Sequence, residues 1–227
     1  MKFKLILLLI TFLPFILSAQ DSEILSHRDI EQRGDDLYYL VDSDKPLDGV
    51  VRYKKFGTKI IEDTYKKGVK DGLSTVYYKT GEKRSETHYS KNKMDGPFVE
   101  WYANGQKMIE MTYVNDLAEG KVTKWYENGQ KRFEAHYVKG EFEGTDTWWF
   151  DNGKKKSETN YKKGRKDGLH TEWYPNGQIA AKLKYVDDKV QGYCARWHSN
   201  GQLEAELTFK DGEIVEKKYW DENGNER

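Results

Sequence analysis

From Gly49 onward, apolar and polar residues alternate in runs of about six, and turn residues bound every run. A period of two fits strands, and no stretch keeps the apolar spacing of an amphipathic helix. The alternation itself repeats. Loop glycines stand at Gly72, Gly96, Gly120, Gly144, Gly168 and Gly192, and hairpin glycines at Gly57, Gly81, Gly105, Gly129, Gly153, Gly177 and Gly201, always 24 residues apart. A first aromatic column reads Tyr53, Tyr77, Trp101, Trp125, Trp149, Trp173 and Trp197. A closing column reads Tyr65, Tyr89, Tyr113, Tyr137, Tyr161, Tyr185 and Phe209. A fixed period of this length means stacked supersecondary units.

Each unit holds two strand-like runs and is expected to be a β-hairpin. The Asp-Gly and Glu-Gly pairs, such as Asp95-Gly96 and Glu119-Gly120, read as turn signals. The connection from Val114 to Gly120 leads straight into the next strand, so all neighbours are antiparallel. The pattern therefore predicts an all-β fold: an extended single-layer antiparallel meander of 24-residue hairpins over residues 37–227, with about seven full units and partial end units. Spacing breaks at both ends, near Gly49 and after Gly212, as expected of terminal repeats that end the stack.

Strand faces follow from the alternation. Lys107, Ile109, Met111 and Tyr113 share one face; Met108, Glu110 and Thr112 share the other. The row Glu62, Glu86, Glu110, Glu134, Glu158, Lys182 and Glu206 reads as a solvated face. A three-residue loop Ala103-Asn104-Gly105, with the glycine at positive φ, pairs Val99 with Ile109 and Trp101 with Lys107. That register collects the Trp column, the closing Tyr column and the column Thr75, Val99, Thr123, Thr147, Thr171 and Ala195 on one face, away from the glutamates. A two-residue loop would move the Trp column to the glutamate face.

Composition adjusts this picture in three ways. Hydrophobic content is 37% and charged content 33%, too polar for one thick core, while 14% aromatics argue against disorder. Formal charge is +0 with no basic tract, so nothing points to nucleic acid or to an anionic membrane surface. Cys194 is the only cysteine, which excludes an intramolecular disulfide.

The N-terminus reads as an address. Lys2 and Lys4 precede an apolar run from Leu5 to Leu17, and Ser18-Ala19 offers a cleavage site. Residues 1–19 are expected to be a signal peptide and residues 20–36 a polar leader. Export would place the chain in the periplasm, on the outer surface or in the medium. Leu37–Val41 is expected to be a first strand covering the first edge of the sheet.

Units reading Asp-Gly, four residues, then Trp-Tyr-x-Asn-Gly-Gln-Lys resemble the MORN repeat, in the variant found in YwqK-like bacterial proteins. Gly96–Gly105, Gly120–Gly129 and Gly168–Gly177 carry the likeness. The resemblance implies a single-layer sheet used for protein contacts and assembly, without catalytic residues. YwqK-like proteins are often labelled antitoxins of toxin–antitoxin pairs, so it also implies antitoxin-like neutralisation of a partner.

The chemistry of an enzyme is not expected. His88 and His136 share a column two units apart, about 19 Å by strand spacing, too far to share a metal. No Gly-rich phosphate loop or nucleophile elbow occurs. No catalytic, metal or cofactor site is expected, and no cofactor. The candidate binding face consists of Tyr77, Trp101, Trp125, Trp149, Trp173 and Trp197 with Tyr113, Tyr137 and Tyr161. An uncovered aromatic stripe suits a protein partner or self-association, with sugar stacking or a purely structural spacer as the alternatives.

Overall fold

The computed structural model describes residues 25–55 and 59–227. The expected signal peptide lies outside them. The fold is one long sheet, from Gly49–Lys55 to Glu213–Tyr219, in which each strand pairs antiparallel with its neighbour in the chain. Lys93–Trp101, Lys107–Val114, Leu117–Trp125 and Lys131–Val138 show the order. The predicted meander is the observed architecture.

The first edge differs from expectation. Leu25–Ser26, within the expected leader, lies parallel beside Gly49–Lys55 at Tyr53 and Lys54. Tyr38–Leu40 pairs instead with Ile30–Gln32 in a separate two-stranded sheet. That small sheet docks on the turn of the first unit. Tyr38 N–H donates to the Gly68 carbonyl at 2.8 Å, and Gly68 N–H donates to the Leu47 carbonyl at 2.6 Å. A Cβ on Gly68 would stand 2.8 Å from Leu37 Cβ and 2.9 Å from Pro46 Cβ, so this approach requires glycine.

Two kinds of turn alternate. At the tips, Gly105 N–H donates to the Tyr102 carbonyl at 2.9 Å and Tyr102 N–H to the Gln106 carbonyl at 2.8 Å, with Gly105 at φ 83°. This is the expected three-residue loop. At the other end the chain turns on two residues, both left-handed: Lys91 (φ 49°) with Asn92 (66°), and Asn115 (49°) with Asp116 (69°). Such pairs match the twist of the strands they join.

The Asp-Gly and Glu-Gly pairs are therefore not turns. Asp95-Gly96 and Glu119-Gly120 lie inside the strands Lys93–Trp101 and Leu117–Trp125. There Glu119 opposes Thr112 while Thr123 opposes Glu110, which makes a bulge, with Gly120 at φ 75°. A bulge needs a residue that tolerates the left-handed region, and glycine does so without strain.

A second bulge decides the faces. Trp101 pairs with Lys107 as expected, but Val99 pairs with Glu110 rather than Ile109, because Glu100 takes Ile109 and one residue is left over. The slip recurs before Tyr77, Trp125, Trp149, Trp173 and Trp197. One inserted residue reverses side-chain parity. The Trp and Thr columns consequently lie on the glutamate face, opposite the closing tyrosines. The first unit serves as an internal control. Its register runs unbroken from Gly49↔Tyr65 to Lys55↔Lys59, and Tyr53, paired with Ile61, falls on the tyrosine face.

The core lies on that tyrosine face. Val122, Phe133 and Ala135 are buried, with Ile109, Met111, Tyr137, Phe142 and Trp148 packed around them. The Phe133 and Trp148 ring centroids are 4.6 Å apart, and those of Phe142 and Tyr161 4.9 Å. A single layer can bury such residues only by curling that face inward. On the glutamate face the buried residues are the small Thr75, Thr123 and Ala195.

Candidate interaction surface

The expected binding stripe does not exist as one surface. Tyr113, Tyr137 and Tyr161 stand on the tyrosine face. Tyr77 and the five tryptophans stand on the glutamate face, and all five are half-buried. The bulge that carried them there also carried a lysine. Lys107 and Glu110, three residues apart in a strand, share a face and form an ion pair at 3.0 Å. Lys83–Glu86, Lys131–Glu134 and Lys155–Glu158 repeat it. Each lysine also reaches toward the next tryptophan: Lys107, Lys131 and Lys155 sit 6.0, 5.7 and 5.7 Å from the ring centroids of Trp125, Trp149 and Trp173. Tyr77 occupies the same column, and its hydroxyl donates to Glu62 at 2.7 Å. Burial and then that bond push its pKa up to about 12. The ladder is clad rather than open. The glutamate row is not a bare solvated face, because the tryptophans share it.

The second aromatic of each tip binds the units together. The hydroxyls of Tyr78, Tyr102, Tyr126 and Tyr174 donate to the carbonyls of Trp101, Trp125, Trp149 and Trp197 at 2.6–2.8 Å. The Asn of the tip plays a matching part. Asn104 accepts from Gln106 N–H and donates to the Glu127 carbonyl of the next unit, each at 3.0 Å.

Two polar clusters lie on the tyrosine face, and sequence reasoning missed both. Asp63, 1% exposed, accepts from the Tyr53 hydroxyl at 2.7 Å and pairs with Lys70 at 2.8 Å. Burial, and then the Asp63 charge, raise the pKa of the Tyr53 and Tyr65 hydroxyls. Further along, Asp146, Thr159 and His170 are cross-strand neighbours and all buried. His170 Nδ1 lies 2.9 Å from Thr159 Oγ1, and its Nε2 3.0 Å from Glu172. Asp146 Oδ2 accepts from the Trp148 indole at 3.2 Å, while buried Oδ1 has no partner. Burial raises the Asp146 pKa. Thr159 is only 4% exposed, so the cluster cannot present its hydroxyl to a substrate. Among the described residues, no three His, Cys, Asp or Glu side chains are placed to hold a metal.

An open apolar surface does exist elsewhere. Among the described residues between Gly49 and Trp197, the exposed large apolar ones are Val50, Leu73, Val114, Leu117, Val138, Leu169, Val186 and Tyr193. Their pairings put every one on the glutamate face, in its half nearer the two-residue turns. A sequence signal was present: a valine follows the closing tyrosine at Val114, Val138 and Val186.

Six segments match the family model described as MORN repeat variant: residues 70–91, 94–115, 118–139, 142–163, 166–187 and 191–211. The chain belongs to the MORN repeat variant family. Each matched segment is one hairpin with its three-residue tip, so the family's unit and the folding unit coincide. No curated protein matches the chain significantly.

Proposed function

We propose that this MORN repeat variant protein is a non-enzymatic scaffold, exported by its signal peptide, that holds a protein partner along the turn-side half of its glutamate face. The observation that supports it best is the confinement, among the described residues, of the exposed large apolar side chains from Val50 to Tyr193 to that one face. Contiguous exposed apolar area on a soluble protein marks contact sites. Protein binding is also what the antitoxin-like role implied by the YwqK-like resemblance would require. The clad Trp ladder favours knitting of the hairpins over sugar stacking.

The test is co-purification from the native envelope with the mature chain and with Leu117→Ser/Leu169→Ser/Tyr193→Ser. A defined protein lost by the triple variant and retained by Trp149→Ala supports the reading. Equal recovery by the triple variant overturns it.

A further inference from the structure

The apolar surface is not uniform in charge, although the whole chain is neutral. Around three of its members, Leu169 (64%), Tyr193 (58%) and Val186 (41%), stand Lys162, Lys184, Lys189 and Lys210. Lys184 lies directly across from Leu169, and Lys189 from Val186. All four lysines are exposed on the glutamate face. Carboxylates stand among them: Glu141 and Asp167 line the depression beside Lys162, Asp187 pairs with Arg165 at 3.6 Å, Glu206 accepts from the Tyr193 hydroxyl at 2.6 Å and Glu216 from Thr208 at 3.3 Å. Glu213 stands at the margin, opposite Lys210. The patch thus offers three apolar side chains among four exposed lysines, none of which is held in an ion pair with another described residue of the sheet.

Leu169 and Tyr193 occupy the same position in consecutive units, two strand spacings apart, which is about 9.6 Å. Two turns of an α-helix advance about 10.5 Å, so a helix laid across the strands brings heptad-spaced apolar residues onto both. We propose that this patch docks an acidic amphipathic helix of a protein partner. Its leucine-like stripe would cover Leu169, Val186 and Tyr193, and its flanking carboxylates would meet Lys162, Lys184, Lys189 and Lys210. The proposal rests on the protein-binding reading above and names the partner's chemistry.

The probe is a synthetic three-heptad helical peptide, leucine on one stripe and glutamate on the flanks, followed by fluorescence anisotropy with the mature chain. The same peptide with lysine for glutamate, and phosphatidylglycerol vesicles, are the comparisons. The acidic peptide is expected to bind more weakly as salt rises, and the lysine peptide not to bind. Leu169→Ser/Tyr193→Ser and Lys184→Glu/Lys189→Glu should each weaken binding by about tenfold or more with unchanged thermal melts. Equal binding of both peptides, no binding of either, or acidic-peptide binding indifferent to both double variants overturns the proposal. Vesicle binding without peptide binding assigns the patch to lipid and overturns it too. If the peptides fail while the native partner still depends on Leu169 and Tyr193, only the acidic helix falls. If the native partner ignores those residues, the protein-binding reading falls with it.

Discussion

Asp146 offers a sharp test of the buried side of the sheet, because it sits where sibling units carry Phe98, Val122 and Cys194. It is 5% exposed, one carboxylate oxygen accepts from Trp148 and the other has no partner. Asp146→Val places the residue of the neighbouring unit there. An unsatisfied buried acceptor costs about 1–3 kcal/mol, and the lost Trp148 bond returns about 1 kcal/mol of that. The variant should therefore be up to about 2 kcal/mol more stable than the parent at pH 7. The sign of the pH dependence follows from linkage. The folded-state pKa is raised above its ordinary 3.8 by burial, so the folded protein binds a proton more tightly than the unfolded chain. The parent loses stability as pH climbs from about that value through the folded pKa. The gap between variant and parent should then be small at pH 3 and fully open at pH 7. Urea unfolding at both pH values measures it. A variant less stable than the parent at pH 7, or a gap that ignores pH, would refute the assignment of Asp146 as a buried carboxylate whose burial outweighs the partners at Trp148, Thr159 and His170.

Other outcomes follow from the same geometry. Trp149→Ala should cost about 2 kcal/mol in urea unfolding, roughly half the price of deleting a fully buried aromatic, and leave partner binding intact; the reverse pattern would restore the Trp ladder as a binding face. Gly120→Ala meets no atom within 4 Å, so only its left-handed backbone resists; a melting curve should report a loss of about 1–2 kcal/mol. Deleting residues 118–141 joins equivalent positions of two units and should give a shorter folded sheet by circular dichroism and size exclusion. Collapse to a random-coil spectrum would mean the units do not fold by nearest-neighbour contact.

The repeat, the hairpins and the three-residue tip were legible because glycine, asparagine and aromatic residues recur at fixed offsets with a physical reason at each. The assignment of faces was not. Alternation predicts a face only while the register is unbroken, and here each full unit carries two bulges. One announces itself through Gly96 or Gly120, which resembles a turn. The other, beside Trp101, carries no glycine and leaves no trace in composition. Where that bulge is missing, at Tyr53, simple alternation does place the aromatic with Asp63. The Asp146–His170 cluster was equally silent, since a column that accepts Ser74, Phe98 and Cys194 sets no expectation for a charge.

From Tyr78 to Tyr174 the tyrosine ties between tips have one gap. Tyr78, Tyr102, Tyr126 and Tyr174 each fasten their unit to the next, and His198 Nε2 lies 3.0 Å from the Trp220 carbonyl, but Phe150 has no hydroxyl to offer. Asn152, donating to the Pro175 carbonyl at 3.1 Å, and Lys154 Nζ, donating to the Asn176 carbonyl at 2.7 Å, cross that joint instead. Cooperativity in a linear array is set by the coupling between neighbours, so a weakened joint divides the molecule into two foldons. The block up to Lys162 and the block from Arg165 onward, which meet at that joint, should then open independently. Hydrogen exchange would show a step in protection at that seam, and Phe150→Tyr would erase it by supplying the missing tie.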